Sequence, residues 1–221
     1  MRSFWHTREA SLRALENELR VEAQLVYEGF DILDNLVRSF ISSGDSEFVF
    51  VCSITLVKAR NFGQGCFSLA LDGLAQESGA LLRPMIECLE LLAYFREEPE
   101  AVTKAFKNKL PPAEEIAKKI EGKFKDLRKY LNQHASHFSF TKKACQHLFD
   151  ESASKLPLRQ TQPFISKTLR NNLGILCLFL TGIAYEAANC LAYIEQLLPE
   201  VENQINGYRD RVTNLVRMHN A

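Results

Sequence analysis

Apolar residues recur every seven positions near the start of the chain, at Leu12, Leu19, Val26, Leu33 and Phe40. Leu15, Phe30 and Val37 fill the intermediate positions. That spacing predicts a helix over about Thr7 to Ser42, long enough to be coiled-coil-like. Glu22 interrupts its seam, and Ser42-Ser43-Gly44-Asp45 ends it. Asp45 or Ser46 is placed to cap the next element. Phe48 to Val57 is rich in β-branched residues and reads equally as a strand. Helix is the better assignment, because the chain offers no second strand and one strand cannot form a sheet. Asn61, Gly63 and Gly65 are expected to close that helix.

The stretch from Cys66 to Glu97 is apolar on nearly every side, which predicts a central helix. At 100° per residue, Ser68, Asp72, Gln76, Arg83, Glu87, Glu90 and Glu97 fall on one stripe about 100° wide. Pro84 should kink this helix, with Gly79 one turn earlier easing the break. A short helix to about Lys109 follows. Pro111-Pro112 with Glu114 and Glu115 then signals a new N-terminus. The stripe beyond it reads Ile116, Ile120, Phe124, Leu127, Leu131 and His134, ending between His134 and Phe140. Thr141 is placed to cap a short helix through Phe149. Glu151 to Pro163 reads as one extended loop.

A long helix is predicted from Phe164 to Leu198, stopped or kinked by Pro199. Val201, Ile205, Tyr208, Val212 and Leu215 then form an a/d seam of two heptads, too short to stand alone. It matches the N-terminal seam, so the two helices should pack together, within one chain or across a dimer. The fold class is therefore all-α: an up-down helical bundle of five to seven helices with long N- and C-terminal helices. It forms a single domain over residues 1–221, with the helices at Cys66–Glu97 and Phe164–Leu198 at its centre.

Composition supports a packed core, with 46% hydrophobic residues in 221. The 27 basic and 27 acidic residues cancel, which argues against a dedicated nucleic-acid or membrane-surface protein. Locally the balance shifts. Between Lys104 and Lys129 nine basic residues face four acids, which reads as a solvated lysine-rich face. Met1 to Arg8 has no apolar signal region. Leu173 to Tyr185 is too short to span a membrane, and Glu186 follows it directly. Six cysteines sit singly among apolar neighbours, without a Cys-x-x-Cys pair. Cytoplasmic location, no disulfides and no membrane partner are the expectations.

No P-loop, dinucleotide fingerprint, nucleophile elbow or His-Glu-x-x-His motif is present. Three constellations carry candidate chemistry. Arg83 and Glu87 are four apart and Glu87 and Glu90 three apart, so two carboxylates share a face with an arginine. Buried, they suit acid/base work or a metal; exposed or cross-paired, they are a structural ion-pair network. Tyr130, His134 and His137 share a helix face, and two histidines one turn apart can hold zinc if Glu87, Glu90 or His147 joins them. His134 also continues an apolar stripe, as a hydrogen-bonded core histidine would. Arg128 and His134 have the Arg-x5-His spacing of metal-independent RNA cleavage, with histidine as acid/base and arginine steadying phosphate charge. In a regular helix they point about 120° apart. Arg83, Glu87 and Glu90 are expected to face His134 or His137 from the neighbouring helix.

The segment Leu81-Leu82-Arg83-Pro84-Met85-Ile86-Glu87-Cys88-Leu89-Glu90 resembles the central helix of a group of bacterial all-helical proteins of unknown function, which carry an Arg-x-x-x-Glu step. Tyr130 to His137 resembles the Tyr-x-x-x-His element of the same group. The chain is more remotely similar to HEPN ribonuclease domains, which are dimeric helical bundles with Arg-x4-6-His at the dimer interface. Lys129, after Arg128, departs from that pattern, and Pro84 departs from the first. The resemblance implies a homodimer, RNA or protein as partner, and a role in stress or phage defence. Three functions follow: a self-associating interaction module without a cofactor, a HEPN-like ribonuclease using Arg128 and His134, or a metal-dependent enzyme with a Glu/His site.

Overall fold

The computed structural model describes residues 2–122, 124–134 and 162–220. Every regular element among them is helical. The elements are α1 (Arg2–Asn17), α2 (Arg20–Ser42), α3 (Glu47–Leu71), α4 (Ala75–Ala80), α5 (Leu82–Glu97), α6 (Ala101–Phe106), α7 (Ala113–Lys119), α8 (Lys125–His134), α9 (Gln162–Tyr193) and α10 (Pro199–Asn220). The all-α bundle is as the periodicity predicts. Three of the expected long helices are cut into shorter ones.

The N-terminal helix breaks at Glu18–Leu19, where the Ala14 carbonyl accepts from both Glu18 N and Leu19 N at 2.9 Å. The break keeps Leu19, Val26, Leu33 and Phe40 fully buried. It rotates the preceding helix, so Ser11, Ala14 and Leu15 face the core and Leu12 is exposed.

The ambiguous Phe48–Val57 segment is helical, and α3 runs through both glycines to Leu71. Ser46 caps it, its hydroxyl accepting from Val49 N at 3.2 Å. The buried line of α3 is Val49, Cys52, Leu56, Ala59, Gly63, Cys66 and Ala70, alternating steps of three and four. Gly63 belongs to that line because a β-carbon there would meet the Phe30 ring at 3.1 Å and Met85 Cε at 3.3 Å. It marks a close helix crossing rather than an end.

The expected central helix over Cys66–Glu97 is three pieces. Asp72 closes α3, and Gly73 follows with φ +78°, the left-handed conformation that ends helices. Pro84 lies in the first turn of α5, where its missing N–H costs nothing, so it starts a helix instead of kinking one. The stripe from Ile116 onward is cut at Glu121 (φ +57°) and Gly122 (φ +64°), with Ile116, Ile120 and Leu131 still buried. Pro199 likewise opens α10 instead of closing α9. The side chains of Leu127, Tyr130 and His134, the expected helix through Phe149 and the expected loop as far as residue 161 lie outside the described residues; Gln162 and Pro163, expected in that loop, open α9.

At the centre stands α9, packed against α1, α2, α3, α4, α5 and α10. The stretch Ile165–Tyr193 is long enough to cross a membrane, unlike the shorter Leu173–Tyr185 run alone, and holds an 18-residue window of mean hydropathy 1.7; 67% of that window is buried inside the bundle. The C-terminal seam packs within the chain: Ile205, Tyr208, Val212 and Leu215 are buried, and α10 lies on α2 and α9. The crossing is close at Gly29 of α2. A β-carbon there would sit 2.5 Å from Tyr208 Oη and 2.8 Å from Leu180 Cδ1.

Gly29→Ala should therefore destabilise the protein by about 1–3 kcal/mol through overpacking, despite the better helix propensity of alanine. Gly63→Ala should cost less, because the Met85 thioether is flexible and its contact longer. Urea unfolding of the two variants checks both the sign and the order.

Candidate functional site

Glu90 is the third carboxylate-stripe residue of α5 after Arg83 and Glu87, and it turns inward. It lies between Leu89 and Leu91 and is 2% exposed. Arg128 of α8 reaches it with a two-pronged contact: Nε donates to Oε1 at 3.3 Å and Nη2 to Oε2. The structure thus joins one residue from each of two constellations that the sequence treats separately. Burial pushes the Glu90 carboxyl above its usual range. The hydrogen bond and charge of Arg128 oppose that rise, and the Glu87 charge adds to it.

Arg83 and Glu87 behave differently. They pair with each other at 3.8 Å along the surface of α5, each more than a third exposed. An ion pair so hydrated contributes little. Asp72 and Ser68, expected on the same stripe, belong to the end of α3. They hold Arg8 of α1, with Arg8 Nε and Nη2 donating to the Asp72 carboxylate at 2.6 and 2.7 Å and Nη2 to Ser68 Oγ at 2.8 Å. Glu97 pairs with Arg96 at 3.3 Å. The stripe is therefore divided among separate ion pairs. His137, and the side chains of Tyr130 and His134, lie outside the described residues, so their expected approach to α5 does too. Among the described residues no group of three or more His, Cys, Asp or Glu is arranged to hold a metal ion.

Two other buried carboxylates, Glu22 and Glu186, also face an arginine of another helix, and a half-exposed pair lies at the end of α5. Glu22 of α2, which interrupts the N-terminal seam, accepts from Arg170 Nε of α9 at 3.0 Å. Glu186 of α9, 1% exposed, has Arg96 Nε of α5 at 3.7 Å. At the end of α5, Lys119 Nζ of α7 donates to both oxygens of Glu98 at 2.9 and 2.8 Å. Tyr94 Oη donates to Glu98 Oε2 at 3.0 Å. The Lys119 hydrogen bond lowers the Glu98 pKa, whereas burial raises that of Tyr94. The signal for these pairs in the sequence was only that a charge interrupts an apolar stripe. Their partners lie 21 to 148 residues away.

The five described cysteines are free and buried. Burial pushes the Cys66 thiol up to about 11 and those of Cys88 and Cys177 to about 12, so none of these three is a ready nucleophile. Taken together, the arrangement neutralises charge inside a helical core. No family model, no curated protein and no solved structure matches this chain.

Removing Arg128 leaves Glu90 buried without its counter-charge. Arg128→Met should destabilise the protein by roughly 3 kcal/mol at neutral pH. A carboxyl whose pKa is raised by folding stabilises fully below its ordinary value, and that contribution is lost as pH rises through the raised one. The deficit of Arg128→Met should therefore shrink as pH falls toward 4.5, the ordinary glutamate value. Adding Glu90→Gln should recover most of it at neutral pH. Urea titrations at several pH values test this; a deficit that stays constant with pH would show that Arg128 acts by packing alone.

Proposed function

We propose that this chain is a non-catalytic, self-associating helical interaction module of the cytoplasm. The observation that carries this is the engagement of Arg128. A ribonuclease of the HEPN type needs that guanidinium free to meet phosphate, whereas here it forks onto a carboxylate in the core. Its side chain is 17% exposed. The acid/base reading of α5 has equally little to work with, since Arg83 and Glu87 form a hydrated surface pair at 3.8 Å while Glu90 faces inward.

Apolar side chains left at the surface support an interaction role. Phe50, Ile54 and Val57 form an exposed line on α3, with Phe106 of α6 against Phe50 at 5.8 Å between ring centres. Leu178 and Tyr185 are exposed on α9. Contiguous apolar surface of this kind marks association sites. Free, buried cysteines suit a reducing compartment.

Incubated with short fluorescent RNAs, with and without EDTA, the purified chain should produce no cleavage above a buffer control. Cleavage that persists in EDTA and disappears in both His134→Ala and Arg128→Ala, with folding intact by circular dichroism, would establish the HEPN-like ribonuclease instead. Cleavage lost only in EDTA would favour the metal-dependent enzyme.

A further inference from the structure

We propose that the exposed line of α9 is the docking site for a second copy of this chain, bound antiparallel about a two-fold axis at Thr181–Gly182; this rests on the self-association proposed above and names its surface. Between Asn171 and Ala192 one narrow strip of α9 escapes burial. Asn171, Leu178, Tyr185 and Ala192 are exposed, and Ile175, Gly182 and Asn189 are half-buried between them. The steps are four, three, four, three, four and three, which is an a/d seam facing outward. It spans three heptads, or about 33 Å of helix, the length at which such seams begin to hold helices together. Leu178 is 47% exposed and Tyr185 42%. No charged residue lies on this line. Its two amides, Asn171 and Asn189, flank an apolar centre, and an uncharged amide within a seam fixes register at modest cost in stability.

The choice of a second copy follows from charge and size. A two-fold interface sets a surface against itself, so it must be its own complement. Basic Lys167 stands exposed before the seam, and acidic Glu195 after it, with Glu200 and Glu202 opening α10 at the same end. In parallel, like charges would meet at both ends. In antiparallel pairing centred between 181 and 182, Lys167 of one copy comes level with the end of α9 of the other, where Glu195 sits in the turn that follows Tyr193. The same centre sets Leu178 against Tyr185 on both sides of the axis, so the two large exposed side chains of each copy meet those of the other. It also sets Asn171 against the small Ala192. The axis itself falls on small residues. Thr181 turns its hydroxyl back onto the Cys177 carbonyl at 2.8 Å, and Gly182 has no side chain, so neither holds the helices apart.

Light scattering of the full chain after size exclusion should give twice the 25.2 kDa monomer mass. Leu178→Glu places two buried charges in the pair, one from each copy, and should weaken dimerisation by about 100-fold or more, with helicity unchanged. Tyr185→Glu should do the same, whereas Phe50→Glu on α3 should leave the dimer intact. Lys167→Glu should weaken it and Lys167→Glu with Glu195→Lys should restore it. A dimer indifferent to Leu178→Glu and Tyr185→Glu, or one dissociated by Phe50→Glu alone, would overturn the α9 site while sparing self-association. Failure of the charge swap to restore a dimer that Lys167→Glu weakens would overturn the antiparallel orientation. A wild-type chain that stays monomeric at high concentration would overturn both self-association and this site.

Discussion

A helix that is apolar on nearly every face must be surrounded, and α9 imposes that demand on the whole chain. Its 32 residues need apolar neighbours on almost all sides. The chain meets this with α2 and α10, with α3 and α5, and with α1. Several apparent oddities trace back to that demand. The break at Leu19 lets the N-terminal segment fold around α9 in two pieces instead of passing it as one rod. Gly29 sits where neighbouring helices approach too closely for a β-carbon, and Gly63 where one would be tightly packed. Pro199 turns the chain so that α10 returns to close the remaining gap. Only a narrow line of α9 is left open.

Charge inside such a core is tolerated only with a partner, and three glutamates show how it is provided. Glu22, Glu90 and Glu186 each come from a helix of the inner bundle, and each is met by an arginine from another element, Arg170, Arg128 and Arg96. Arginine suits this task because its planar fork can satisfy both carboxylate oxygens. These pairs are weak evidence for stability, since taking two ions out of water costs nearly what their attraction returns. Their effect is on specificity. A helix shifted by one turn would strand a buried carboxylate, and hydrophobic contacts alone would not penalise that shift as severely. Each pair links one helix to another: α2 to α9, α8 to α5, and α5 to α9.

Helical periodicity made the fold class legible, because apolar spacing of three and four is written locally. The a/d seam of Val201 to Leu215 matches the N-terminal seam, and α10 does pack on α2, although it packs on α9 as well. What periodicity did not reveal were the breaks. Asp72-Gly73 looks like any polar pair within a long apolar run until glycine adopts positive φ, and Pro84 terminates or initiates a helix depending on which side of it the chain turns. The stripe from Ser68 to Glu97 assumes one uninterrupted helix; a break after Asp72 changes the phase of every later residue, and Asp72 is held by Arg8 of α1. For the site, the sequence marked Glu90 and Arg128 as unusual. It did not show that they belong together, because residues 38 apart on different helices carry no local sign of contact.

The proposed interaction role rests on the same logic. A catalytic arginine must exchange its partner for substrate, so it is held loosely, near water, in a site whose walls survive without it. Arg128 has the opposite surroundings. Withdrawing it to bind phosphate would leave Glu90 in an apolar core with its pKa already raised by burial, and every binding event would have to overcome that cost. A second copy meeting α9 requires no such exchange. In the proposed pairing it would cover a strip that is uncharged, so no ion pair among the described residues need break.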